Sequence, residues 1–371
     1  MDKPRSGFTT GSCAAAASKA AAYMLFSGKR KEEIEIVTPK GITYQAELLD
    51  IDMHDDRVSC AIKKDSGDDP DITNGAHIYS TVKITEGTEG EITISAGEGV
   101  GIVTRPGLDQ PVGNAAINSV PRKMIEKEVR EILDIFDYRG ALEIIISVPE
   151  GAKLAAKTFN PRLGIEGGIS ILGTSGIVEP MSMKAILDTI HVELSQNRAL
   201  GREYICISPG NYGLDFMKSA YDFDLDKSVK CSNFIGETLD MTLELGFKGV
   251  LLVGHIGKLV KLAAGIMNTH SREADGRMEV LTVAALKANA SNGTLLKITD
   301  CLTTTEAFEI IDEEGITKKV MEYIIERIEY YLNKRCNGGI QVECIVFSNE
   351  SGQLGCTKGA AELIKRIKEN A

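Results

Sequence analysis

FNPRLGIEGGISILGTSGIVEPMS, running from Phe159 to Ser182, is the stretch around which the rest of the chain is organised. It reads as a loop, a short apolar strand over Ile169–Leu172, the glycine turn Gly173-Thr174-Ser175-Gly176, and a helix start near Pro180. Met183, Leu187, Ile190 and Leu194 then recur at the spacing of one helix face. Gly164, Gly167, Gly168, Gly173 and Gly176 permit positive φ or a close approach to a ligand. A strand, a glycine turn and a helix N-terminus together suit phosphate, carboxylate or ribose groups. A tight βα turn with no ligand fits the same residues equally well.

Downstream the pattern is strand then helix, repeatedly. Tyr204–Ile207 reads as a strand ending in Ser208-Pro209-Gly210-Asn211-Tyr212-Gly213, and Val229–Ser232 as a short strand before a helix over Ile235–Leu245. Val250–Val253 is continuously apolar, as a strand buried on both faces should be, and ends in Gly254-His255-Ile256-Gly257-Lys258. Helices fill Arg277 to Lys334, and Ile340–Phe347 is the last strand. Alternating strands and helices predict a doubly wound, Rossmann-like parallel sheet over residues 166–371. Ligands of such sheets sit beyond the C-terminal strand ends, where Gly210, Gly254 and His255 fall.

Upstream the texture differs, and residues 1–165 read as a separate α+β domain. GFTTGSCAAAASKAAAYMLFSG opens it with an alanine-rich helix that Thr9, Thr10 or Ser12 caps. Cys13 falls in the first turn, where it is either a thiolate favoured by the helix dipole or a small buried apolar residue. From Ile34 to Ser95 apolar residues alternate with polar ones, predicting an antiparallel sheet packed on that helix. Asp65, Asp68, Asp69 and Asp71 lack the spacing and closing Glu of a calcium loop and read as a solvated turn. Arg105 beside Pro106-Gly107, and Arg122-Lys123 after Pro121, present cations on rigid segments, a pattern suited to several carboxylates as well as to ordinary surface charge. A helix over Pro121–Phe136 and a strand over Leu142–Val148 close the domain.

Composition narrows the ligand. A net charge of −11 and the absence of Trp count against nucleic acid, which asks for basic patches and stacking surfaces. Glycine at 37 of 371 residues exceeds the usual 7% or so, in keeping with loops that approach ligands. None of the eight cysteines forms a CxxC pair, no apolar run reaches membrane-spanning length and no signal peptide precedes the first motif; the expectation is a cytoplasmic protein with reduced thiols. GHIGKL resembles a phosphate loop, but Leu259 follows Lys258 where Ser or Thr is needed. Gly173-x-x-Gly176 is not GxGxxG, so nicotinamide and flavin dinucleotides are disfavoured, while an adenosine cofactor without phosphates stays open. Asn268–Arg277 gathers His270, Arg272, Asp275 and Arg277, which either supply a proton acceptor and carboxylate anchors or form a charged inter-helix loop.

GFTTGSCAAAASKAA, RPGLDQPVGNAAINSVPRKMI, FNPRLGIEGGISILGTSGIVEPMS, GHIGKLVKLAAG and THSREADGRME together resemble the CbiD family, over Gly7 to Glu279. The family pattern has proline where Ile256 stands. The resemblance implies a cobalt-precorrin-5B C(1)-methyltransferase of anaerobic cobalamin biosynthesis, which moves a methyl group from S-adenosylmethionine to a ring carbon and gives cobalt-precorrin-6A. It gives Gly173, Thr174, Ser175, Gly176, Gly210, Gly254 and His255 to the cofactor. Thr10, Ser12, Arg105, Arg122, Lys123, Arg162, Arg272 and Arg277 go to the carboxylate arms of the cobalt-tetrapyrrole substrate, and His270 or Asp275 to a base. Cobalt arrives inside the substrate, so no protein metal ligand is expected. No nucleic-acid or membrane partner is expected, and a homo-oligomer stays open. Two other classes fit the residues: a non-catalytic tetrapyrrole carrier or scaffold, and a different nucleotide-cofactor enzyme.

Overall fold

Thr10–Ser27 is a buried helix around which the first part of the chain folds. Thr9 Oγ1 accepts the Ser12 N–H at 3.2 Å at its start, and Gly28 ends it in left-handed geometry at φ 64°. Ala14–Ala17 and Ala20–Ala22 expose nothing. Side chains this small let the helix lie close on the strands Arg57–Lys63 and His77–Thr85, whose Val58, Cys60, Ile62, Ile78 and Val82 share its core. The Ser18 and Ser80 hydroxyls, one on the helix and one on a strand, meet at 2.8 Å.

The computed structural model describes residues 4–180 and 182–369; Met181, inside the stretch quoted first, lies outside the described residues. Two compact units divide the chain, Met1–Ser182 and Met183–Ala371. The expected boundary after residue 165 falls inside the first unit, because the stretch that follows is stitched into it. Ile165–Glu166 pairs with Ile102–Val103, Ile169 and Ile171 bridge to Val100 and Ile117, and Ile177–Val178 pairs with Gly7–Phe8. Ile169–Leu172 is therefore a set of isolated bridges rather than a strand, and the helix that follows starts at Met183. Of its expected face, Ile190 and Leu194 are buried, while Met183 is exposed.

The first unit's larger sheet orders its strands Leu49–Met53, Arg57–Lys63, His77–Thr85, Ala141–Ser147 and Ile92–Ala96. It is antiparallel except that Ile92–Ala96 runs parallel to Ala141–Ser147. The helix Ser119–Ile135 connects these two, and a parallel neighbour needs such a crossover. A separate hairpin, Glu33–Val37 with Thr43–Glu47, buries Ile34, Ile36, Tyr44 and Ala46 at every second residue.

In the second unit the sheet order is Ser228–Lys230, Tyr204–Ser208, Gly249–His255, Gln341–Ser348 and Gly352–Cys356. The first four strands are parallel and the last turns back antiparallel. Both faces are covered. Ile205, Ile207, Val250, Leu252 and Cys344 pack with the helices Ile235–Glu244, Arg277–Lys287 and Thr317–Cys336. Cys206, Leu251, Val253, Ile345 and Phe347 pack with Asn211–Tyr221 and Ala360–Glu369. The chain is thus mixed α/β, and no helix among the described residues is long and apolar enough to cross a membrane.

Candidate functional site

The parallel sheet has one place where its connections part. Helix Asn211–Tyr221 leads from Tyr204–Ser208 to the strand on one side, and helix Ile235–Glu244 leads back past it to Gly249–His255 on the other. The two helices cover opposite faces, Met217 packing with Leu251 and Val253, and Ile235 and Leu239 with Val250 and Leu252. In open α/β sheets ligands bind where the strand order reverses in this way, just beyond the C-terminal ends.

The side chains at that edge are arranged as follows. Ser208 Oγ donates to the Gly210 carbonyl at 2.9 Å and holds the turn between strand and helix. Gly213 lets the helix come down onto both strands, since a Cβ there would stand 2.1 Å from Ser208 Oγ and 2.8 Å from the Val253 carbonyl. No side chain caps Asn211–Tyr221 at Gly210, where the backbone is extended and a Cβ would meet nothing within 4 Å. On the neighbouring strand Gly254 packs against Leu259, and His255 stands edge-on to Phe347 with ring centroids 5.7 Å apart. His255 Nδ1 accepts the Gly257 N–H at 3.1 Å, so the neutral ring carries its proton on Nε2. Burial lowers the ring's basicity, against a smaller opposing pull from Glu350.

Next to this edge lies a polar cluster that sequence reasoning missed. Asn233 follows the strand Ser228–Lys230, and its Oδ1 accepts from Lys258 Nζ at 3.1 Å and from Thr269 Oγ1 at 3.2 Å. Lys261, 3% exposed, donates to the carbonyls of Thr269 and Ala274 at 3.3 and 2.8 Å and pins both ends of the loop between them. Asn233 and Lys258 are 25 residues apart, and only the parallel register joins them. The available signal was a polar residue three positions after each of two strand ends.

The loop that Lys261 pins contains His270 and Arg272, and Asp275 and Arg277 follow it at the start of the next helix. Asp275 holds Arg277 in a two-pronged ion pair, Nε to Oδ1 at 2.6 Å and Nη2 to Oδ2 at 2.8 Å. That guanidinium keeps the Asp275 carboxyl below the usual carboxylate range, which makes it a weak proton acceptor. His270 Nδ1 accepts the Arg272 N–H at 3.1 Å, leaving Nε2 as a donor in the neutral ring. Arg272 is exposed.

The remaining expected site residues lie in the first unit, where Thr10 and Ser12 are bonded to the glycine turn itself. Thr10 Oγ1 accepts the Leu172 N–H at 2.9 Å, Ser12 Oγ donates to the Gly176 carbonyl at 2.7 Å, and the Gly11 N–H reaches Leu172 O at 3.0 Å. Gly173, at φ 128°, lies against Thr9, and Gly176 against Thr38 and Ser12. Thr174 is exposed, and Ser175 Oγ bonds within the turn to Ile177. The start of this helix, where Thr10 and Ser12 are expected to meet the substrate, is bonded to the chain's own carbonyls at Leu172 and Gly176. Cys13 is fully buried, and burial pushes its thiol up to about 11, so it is the small core residue of the two readings.

Arg122 points inward. Its guanidinium donates to the carbonyls of Ile117, Ile94 and Ala115 at 2.8, 3.0 and 3.4 Å and borders a cavity of about 370 Å³ with Ser95, Ile102 and Asn114. Arg105 Nη1 donates to the Arg162 carbonyl at 3.3 Å, which brings these two exposed arginines together, and Lys123 is also exposed.

Comparison with known proteins returns one consistent set of relatives. A family model described as CbiD matches residues 1–180, and one described as CbiD, C-terminal domain, matches residues 268–358. A protein of Ruminiclostridium cellulolyticum named cobalt-precorrin-5B C(1)-methyltransferase is 46% identical over 366 residues, covering 97% of this chain and 94% of its own. One of the same name from Thermoanaerobacter sp. is 47% identical, covering 94% of each chain. The crystal structure of the cobalamin biosynthesis protein cbiD from Archaeoglobus fulgidus is 28% identical, covers 73% of this chain and 83% of its own, and superposes with a TM-score of 0.40.

Proposed function

The chain belongs to the CbiD family, and on that premise we propose that it methylates carbon C-1 of cobalt-precorrin-5B with S-adenosylmethionine, giving cobalt-precorrin-6A. The observation that carries this reading is the near-full-length identity to relatives that bear that one name.

S-adenosylmethionine supplies an electrophilic methyl group on a sulfonium that departs as a neutral thioether. We read the second unit's sheet as a doubly wound, Rossmann-like one, with its reversal between Tyr204–Ser208 and Gly249–His255 as the donor's place; the helices on both faces support this. The residues there fit a donor that has a carboxylate, an ammonium and a ribose but no phosphate. Gly210 leaves open space beside the turn, the first helical turn is uncapped, and His255 offers an Nε2–H. Gly254 allows Leu259 to pack beneath it and keeps this edge low.

For the macrocycle, many carboxylate arms ask for exposed cations. Arg105, Arg162, Lys123 and Arg272 are exposed and are the anchors we propose. Arg277 is committed to Asp275 and Arg122 to backbone carbonyls, so both act by shaping their loops. Thr10, Ser12 and the Gly173–Gly176 turn act by holding each other. His270 presents a donor to a substrate carboxylate or carbonyl rather than a base. The chain's main contribution is alignment, worth up to about 7–11 kcal/mol in favourable intramolecular cases.

The decisive test is incubation of the purified chain with cobalt-precorrin-5B and S-adenosylmethionine. One added methyl by mass spectrometry, together with S-adenosylhomocysteine, is expected. Macrocycle binding without either product would leave a carrier in its place.

A further inference from the structure

We propose that Lys258 and Asn233 form a carboxylate-binding site at the C-terminal edge of the second unit's sheet. Lys258 stands on the short helix Ile256–Leu259, half-buried, and its ammonium has Asn233 Oδ1 as its hydrogen-bond partner at 3.1 Å. Among the described residues no aspartate or glutamate pairs with it, and the charged group beside it, Lys261, is a like charge. Three other half-buried or buried lysines are compensated more fully, while Lys227 has the Ile367 and Lys368 carbonyls. Lys19 has Glu128 at 2.8 Å, Lys64 has Asp71 at 2.6 Å, and Lys261 has two carbonyls with Asp275 at 3.9 Å.

A partly desolvated ammonium beside a neutral amide oxygen is under-compensated. The hydrogen-bond count points the same way. Asn233 Oδ1 is filled twice, by Lys258 and Thr269, whereas Asn233 Nδ2 makes no hydrogen bond among the described residues and Lys258 Nζ has further protons to give. A cluster rich in unspent donors and one positive charge selects an anion that accepts several hydrogen bonds, and a carboxylate meets that description. The cluster is built, not incidental. Asn233 is fixed by its own carbonyl, which accepts the Thr269 N–H at 3.0 Å, and by Ser232 in left-handed geometry at φ 52°.

Both ligands of the proposed reaction carry carboxylates, so the inference rests on that reading for the ligand's identity alone. The test measures S-adenosylhomocysteine binding by calorimetry, and KM for cobalt-precorrin-5B, on the full chain and on Lys258→Met, Lys258→Arg and Asn233→Asp. If the carboxylate is the donor's, Lys258→Met weakens S-adenosylhomocysteine at least about tenfold, and its carboxamide analogue binds wild type and variant alike. If it is the macrocycle's, donor affinity holds and KM rises by a similar factor. Asn233→Asp gives Lys258 an internal counter-ion. It should melt no lower than wild type yet bind as poorly as Lys258→Met, a combination that a purely structural lysine would not produce. Lys258→Arg should recover part of the loss. Unchanged affinity and KM in both Lys258→Met and Asn233→Asp would overturn the proposal. Wild type that binds S-adenosylhomocysteine but methylates nothing would sink the methyltransferase reading and leave the site standing.

Discussion

Ser12 donates its hydroxyl to the Gly176 carbonyl at 2.7 Å, across 164 residues of chain. The pair closes the N-terminus of the first unit's central helix with a loop from that unit's far end. Thr9 adds its own N–H to the same carbonyl at 3.1 Å, and Lys40 donates to Ser175 O at 3.1 Å. Glycine here serves packing: a Cβ at Gly173 would stand 2.4 Å from Thr9 Oγ1 on a backbone already at φ 128°.

Stability should therefore register changes in this turn. Gly173→Ala should cost about 1–3 kcal/mol from its backbone conformation, and more as Thr9 is displaced from its capping position. Ser12→Ala should cost only about 1 kcal/mol, because Gly176 O keeps the Thr9 N–H. Urea unfolding of each variant measures both, and a Gly173→Ala protein as stable as wild type would contradict the packing account.

Thiol chemistry offers a second check. Seven of the eight cysteines are buried and Cys356 is exposed. Burial pushes the thiols of Cys60 and Cys231 up to about 12, and that of Cys13 to about 11 despite its helix N-terminal position. Brief iodoacetamide treatment of native protein near neutral pH should place a single adduct on Cys356, read by peptide mass spectrometry. Labelling of Cys13 at a comparable rate would restore the reactive-cysteine reading.

Acid should act on the first unit through Asp71. Burial pushes its carboxyl up, but the Lys64 ammonium at 2.6 Å, with the Thr73 hydrogen bonds, brings it below the usual 3.8. A carboxyl lowered on folding contributes stability that is complete above about pH 4 and is lost as pH falls through the lowered value. Asp71→Asn leaves Lys64, whose side chain is 1% exposed, without its counter-ion and should cost about 3–5 kcal/mol at neutral pH. Its stability should then fall less steeply than that of wild type between about pH 5 and 3. Parallel pH curves for the two proteins would rule out this pair as the origin.

What was legible in the sequence was whatever local periodicity encodes. Ile34 and Ile36 alternate because one face of their hairpin is buried, and Val250–Val253 runs apolar because both faces of its strand are covered. The parallel order of the second unit followed from such runs alternating with helices. Partners distant in sequence were not legible. Gly173 looked like a ligand turn because nothing near it in sequence announces Thr9, and Arg122 looked like a substrate anchor because carbonyls leave no mark in composition. Gly352–Cys356 was missed as a strand, since GQLGC has little β-propensity and exists by pairing back on Gln341–Ser348. At the candidate site, Gly210, Gly254 and His255 were proposed from their place after strands, whereas Asn233 needed the register.

Gly213 gives the sharpest test of where the donor binds. It is the point at which helix Asn211–Tyr221 touches the ends of two strands, and its added Cβ would meet Ser208 Oγ at 2.1 Å and the Val253 carbonyl at 2.8 Å. The serine hydroxyl yields by rotating, at the expense of its bond to Gly210 O; the carbonyl is backbone and does not. Gly213→Ala must therefore lift the helix start and shift the Gly210 turn by some tenths of an ångström. If the donor lies on that turn, S-adenosylhomocysteine affinity should fall about tenfold or more, since small misplacements near a bound reactant carry large rate and binding penalties. Gly210→Ala separates this from instability. At φ −176° the backbone suits any residue and the Cβ has open space, so its melting temperature should match wild type while the added methyl obstructs the donor. Full affinity in Gly210→Ala, with loss in Gly213→Ala matched by an equal loss of stability, would move the donor away from this edge.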